Sequence, residues 1–196
     1  MEHTHTFGNR TARYTQRLIH IRGHDIEVVD TFNFLGATFT KKRLFTAAKN
    51  DNVQQAHKAL FSLYRKNRNL DLPLDCQLKL FYSTIVPILT YGCEVSGFGD
   101  LAIVEKNHTD FLNYILNVKK STPQVMLHGE LGRYPISISI KKRIVGFWYN
   151  LINKENKLSS ILYRFMFNHT HVHNFEYKWL ANVKSILKQL VLTISG

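Results

Sequence analysis

Apolar residues follow two rhythms along this chain: loose alternation near the start, then steps of three and four. Tyr14 to Ile21 alternates weakly, Gly23-His24-Asp25 offers a turn, and β-formers resume at Ile26, Val28, Phe32 and Phe34. Phe34 to Thr40 continues as a short strand in which Gly36 permits close approach of another backbone. From Asp51 to Asn67, Val53, Ala56, Leu60, Leu63 and Tyr64 mark one helix face. The longest apolar stretch, Pro73 to Gly99, repeats Leu78, Phe81, Tyr82, Ile85, Leu89 and Gly92. Asp75 suits its N-cap, Pro87 should kink or break it, and Gly92, Gly97 and Gly99 should end it.

Further on, Asp100 caps a helix that turns Leu101, Val104, His108, Phe111, Leu112 and Ile115 inward. Thr122 as cap and Pro123 in the first turn open a short helix, which runs into a turn over Gly129 to Pro135. Ile136, Ile140, Ile144, Phe147, Trp148 and Leu151 mark the next, and Leu158–Phe167 and Phe175–Leu190 supply two more. The predicted fold is mainly α: a short N-terminal β hairpin or strand element, then an α-helical bundle of about six or seven helices. Residues 1–45, 46–120 and 121–196 are the expected divisions.

Charge changes the picture. The net charge is +12, and it is uneven: residues 1–70 carry 12 Lys/Arg and 5 Asp/Glu, residues 71–130 carry 4 and 7, and residues 131–196 carry 10 and 2. A near-neutral middle between basic ends reads as a scaffold presenting cationic surfaces to a polyanion, most commonly nucleic acid. No apolar run reaches the ~18 residues that span a bilayer, so no membrane partner is expected and an intracellular location is. Cys76 and Cys93, 17 residues apart on one helix, stand roughly 25 Å apart, too far for a disulfide. Both are expected to be reduced and buried.

Catalytic chemistry is hard to find. Two-metal catalysis needs clustered carboxylates, and the aspartates here are scattered singly. There is no glycine-rich phosphate loop, nucleophile elbow or paired-cysteine metal motif. His169, His171 and His173 alternate, and share a face only on an extended segment; they read as residues of a polar break between helices, not metal ligands. His108, on an apolar face, reads as a core histidine.

Three blocks carry a resemblance: Val29-Asp30-Thr31-Phe32-Asn33-Phe34-Leu35-Gly36; Leu89-Thr90-Tyr91-Gly92-Cys93-Glu94-Val95-Ser96-Gly97; and Ser121-Thr122-Pro123 through Gly129-Glu130-Leu131-Gly132-Arg133-Tyr134-Pro135. In order and spacing the chain resembles the reverse transcriptase of non-LTR (LINE-type) retrotransposons, from the end of the palm through the thumb and the helical region beyond, over about residues 20–185. The resemblance implies that Phe34, Leu35 and Gly36 form an aromatic-Leu-Gly strand turn at the primer grip, and that the following helices form a thumb. Lys41, Lys42, Arg43, Arg65, Lys66, Arg68, Lys141, Lys142 and Arg143 are then expected to contact template–primer nucleic acid, an RNA or RNA–DNA duplex, by its phosphates and sugars.

Departures matter as well. The family's paired catalytic aspartates are missing, so no catalytic residue and no cofactor is expected in this chain. Mg²⁺ belongs to the absent palm, and the rest of the polymerase is a possible partner. The family usually has Trp where Ser96 stands, and a packing anchor is lost there. The end, LVLTISG, looks cut or drifted, as in a fragment. The alternatives are a helical protein-interaction module and a nonfunctional remnant of a degenerate element copy.

Overall fold

Two small antiparallel hairpins precede the helices. The computed structural model describes residues 18–21, 23–41, 45–154, 157–173 and 176–194. Strands β1 (Leu18–Ile21) and β2 (His24–Glu27) pair with Ile19 opposite Ile26; β3 (Thr31–Phe34) and β4 (Ala37–Thr40) pair with Phe32 opposite Phe39. Gly36 is therefore not inside a strand. With Leu35 it forms the two-residue tip of the second hairpin, and both have positive φ, 49° and 78°, as the right-handed twist of a tight hairpin demands.

The helices are α1 (Thr46–Leu70), α2 (Leu74–Leu80), α3 (Val86–Leu89), α4 (Cys93–Ser96), α5 (Ala102–Ile115), α6 (Gln124–Leu131), α7 (Ile136–Asn153), α8 (Leu158–His173) and α9 (Lys178–Ile194). A single π turn, Phe81–Ile85, joins α2 to α3. Pro87 therefore does not break the long apolar helix: the wider π turn just before it absorbs the missing donor and the ring's bulk. The fold is mainly α with short N-terminal strands, and the described helices outnumber the six or seven expected because of short segments such as α4.

Prolines set three helix starts. Pro73, Pro123 and Pro135 occupy the N-cap positions of α2, α6 and α7, at φ −55°, −57° and −52° with extended ψ. The ring's fixed φ matches the extended conformation an N-cap needs. Asp75 accordingly lies in the first turn of α2 instead of capping it, and Thr122 does not cap α6. Gly129 lies within α6, whose end is set by Gly132 at φ 59°. The N-cap of α5 is Leu101 and not Asp100, which stands one residue earlier and accepts the N–H of Ala102 with its Oδ1 at 2.8 Å.

The core lies where α1, the π turn, α3, α5 and α7 converge. Val53, Ala56, Leu60 and Leu63 of α1, Phe81, Ile85 and Leu89, Phe111 and Leu112, Leu127, and Ile136, Ile140 and Ile144 form one buried cluster. Phe81 and Phe111 stack with centroids 3.9 Å apart and planes 6° from parallel. Cys93 is buried, and burial pushes its thiol up to about 11, with Arg143 opposing and Glu94 adding to the shift; it packs, and is no nucleophile. Cys76, by contrast, is exposed on the solvent side of α2, so the expectation of two buried cysteines holds for Cys93 alone.

His108 sits at 0 % exposure beside Phe81, sharing a 2.8 Å hydrogen bond with the Tyr82 hydroxyl. Desolvation lowers its pKa to about 4, reinforced by His128 and Arg133 and opposed by Glu105. A folded value below the unfolded one means that the unfolded chain binds this proton first. Stability from this group is thus complete above about pH 6.5 and falls towards pH 4, by about 3 kcal/mol at most. Melting curves between pH 7 and 4 are expected to show the decline, and His108→Phe to flatten it; an equally steep decline in that variant would assign it elsewhere.

Candidate nucleic-acid interface

The hairpin tip is built to project. Phe34 and Leu35 are 57 % and 76 % exposed, and Phe32 and Phe34 stack on one face of the hairpin at 6.2 Å. The tip is nonetheless anchored: the Tyr91 hydroxyl donates to the Leu35 carbonyl at 2.6 Å. Tyr91 itself is held by the buried Asn52, whose Nδ2 donates to the Tyr91 carbonyl at 3.0 Å. Two sequence blocks more than fifty residues apart, Phe34-Leu35-Gly36 and Tyr91-Gly92-Cys93-Glu94, are thereby in direct contact.

Between hairpin and α1 lies a polar cleft of about 410 Å³, with Asn33, Thr38, Gln54, Gln55 and Lys58 in its lining. The Thr38 hydroxyl donates to Asp51 Oδ2 at 2.5 Å and fixes the hairpin on α1. Gln54, Lys58, Phe61, Arg65 and Arg68 follow one another at helical spacing on the outer side of α1, all exposed. The cleft thus opens onto a stripe of cations interrupted by a ring, Phe61, that is 70 % exposed. Cations with interleaved aromatics suit a phosphate backbone and its bases.

The expected cations do not all join this surface. Arg65 and Arg68 do; Lys66 is exposed but lies about 100° around the helix from Arg65. Lys41, at the hairpin base, is exposed and lies 3.9 Å from Asp30 Oδ1, while Lys42 and Arg43 lie outside the described residues. Lys141 and Lys142 are exposed on α7, which packs against α4, α5, α8 and α9, not against the outer side of α1. Arg143 is exposed but paired within the chain: its Nε and Nη2 donate to Glu94 Oε1 at 2.9 and 2.5 Å, and its Nη1 to Thr90 Oγ1 at 2.7 Å. It ties α7 to α4, on a different part of the surface from the α1 stripe.

Sequence reasoning missed Gln54, Lys58 and Phe61. Stepping back from Arg65 by helical intervals reaches Phe61 and Lys58, so the signal was present in the spacing. It overestimated the histidines' independence: α8 continues through His169, His171 and His173 instead of breaking. Phe165–His169 and Phe167–His171 form ring pairs four residues apart, with centroids at 5.8 and 4.6 Å, the spacing at which helical neighbours meet. Among the described residues no group of three His, Cys, Asp or Glu is placed to hold a metal ion, and no helix is long and apolar enough to cross a membrane. Comparison with protein-family models, curated proteins and solved structures found no match.

Proposed function

We propose that this chain is the thumb region of a non-LTR retrotransposon reverse transcriptase, contacting a template–primer duplex with the β3–β4 hairpin and the outer side of α1. One observation carries the reading: the Tyr91 hydroxyl bonds the Leu35 carbonyl at 2.6 Å, joining two of the three blocks on which the resemblance rests. The adjoining polar cleft and the Lys58–Phe61–Arg65–Arg68 stripe supply phosphate and base contacts without sequence readout. Polymerisation, and the Mg²⁺ it uses, belongs to a palm with paired aspartates. An intracellular location accompanies the proposal.

Three phosphate contacts on the α1 stripe give log K against log salt a slope of about −3. Anisotropy titration of a labelled RNA–DNA duplex is expected to show that dependence and little sequence preference. Lys58→Gln with Arg65→Gln is expected to flatten the slope by about two. An unchanged slope in the double variant overturns the interface. A second reading, a helical protein-interaction module, is favoured by the outer side of α8, where Leu158, Ile161, Phe165 and Val172 are 72, 57, 62 and 75 % exposed. Absence of duplex binding at low salt would leave that reading standing.

A further inference from the structure

A cleft of about 820 Å³ opens among the start of α1, α4, α7, α8 and α9, within the size range of small-molecule sites. Aromatic rings form one part of its wall, beside aliphatic and small polar side chains. Phe98, Phe147 and Tyr163 each stand edge-to-face to Trp179, with centroids 6.4, 6.2 and 6.4 Å away. The polar ends of these rings are already engaged: Trp179 Nε1 donates to the Glu94 carbonyl, and the Tyr163 hydroxyl accepts from Trp148 Nε1, both at 3.2 Å. The Ser96 hydroxyl, on the same wall, donates to the Gly92 carbonyl at 2.9 Å. Groups tied back in this way offer carbon to the cleft and are preorganised for an apolar body.

The ionisable side chains in the lining are both cations. Lys49 and Lys178 are in the lining, which holds no aspartate or glutamate, although Asp100 and Glu176 stand close to them in the chain or the fold. Lys49 Nζ donates to the Phe98 and Asp100 carbonyls at 3.0 and 3.3 Å, which holds its ammonium near the lip. Helices α7, α8 and α9, which form most of the surround, contain no acidic residue. A cationic ligand would meet two ammonium groups in the lining, whereas one anionic head gains from both.

We infer that this cleft binds one small amphipathic anion, its apolar body among the four rings and its carboxylate or similar head towards Lys49 and Lys178. This chemistry is shared by acyl-chain carboxylates and flat aromatic acids. Titration of the full chain with anilinonaphthalene sulfonate is expected to saturate at one site. Displacement by dodecanoate identifies an acyl chain and displacement by naphthoate an aromatic acid, while dodecanol competes on the order of tenfold less well than dodecanoate.

Lys178→Glu places a carboxylate at the first residue of α9, where the helix dipole welcomes it, so the fold is kept. It is expected to weaken dye binding on the order of tenfold. Ser96→Trp is expected to fill the cleft and abolish binding. Neither variant touches the hairpin or the outer side of α1, so duplex binding is expected to persist in both. Emission that never saturates and is insensitive to Lys178→Glu overturns the site, as does equal competition by dodecyltrimethylammonium. Should Ser96→Trp not fold, the rim variant and the anion–cation comparison decide alone.

Discussion

Replacing Phe111 with alanine is expected to remove about 4 kcal/mol of folding stability. Phe111 and Phe81 are both at 0 % exposure, and their rings lie face to face at 3.9 Å. Truncation removes the transfer energy of a whole ring and leaves a void bounded by Phe81, which sits in the π turn and cannot move without disturbing α2 and α3. A domain of this size has only about 5–15 kcal/mol to lose, so the variant should be near its threshold. Urea unfolding followed by circular dichroism measures the change. A loss under 1 kcal/mol would mean that the rings do not pack as described.

The second large effect comes from the smallest substitution. Gly97→Ala adds one methyl group, and that carbon would stand 2.5 Å from the Cys93 carbonyl oxygen and 2.6 Å from Ile140 Cγ2. Backbone conformation is not the obstacle, since Gly97 has φ −76°; space is. The Cys93 oxygen cannot swing aside because it accepts the Gly97 N–H at 2.8 Å, and Ile140 is 1 % exposed. To fit the methyl, α4 must lift from α7, loosening the Arg143–Glu94 pair and the Trp179 bond to the Glu94 carbonyl. A destabilisation of about 3 kcal/mol is expected from urea midpoints. A wild-type midpoint would show that α4 and α7 stand further apart.

The sequence makes these cores legible to different degrees. Val53, Ala56 and Leu60, or Ile136, Ile140 and Ile144, repeat at helical period along long helices, so periodicity alone assigns their buried faces. Helix starts are less legible, because proline supplies the N-cap conformation and displaces the Asp75 and Thr122 side chains that composition favours. Polar composition makes residues 168–173 resemble a loop, whereas ring pairing at four-residue spacing carries α8 through them.

Site residues divide along the same line. Lys58 and Phe61 belong to the stripe by local geometry, but adjacency in sequence directs attention to Arg65-Lys66 and hides the helical stepping. Arg143 is different. Its partner Glu94 is 49 residues away, and no local pattern in the sequence distinguishes it from Lys141 and Lys142.

The exposed hairpin adds a second kind of contact to the cationic one. Among the described strands β3 pairs only with β4, so its other edge presents backbone donors and acceptors beside the stacked Phe32 and Phe34. An edge of this kind accepts an added strand through main-chain hydrogen bonds and apolar contact. Counterion release would govern the proposed duplex contact on α1, whereas strand addition is nearly indifferent to ionic strength. Under the proposed function, raising salt releases a duplex from α1 but would not release a strand added at β3, so ionic strength tells a cationic contact from an edge contact.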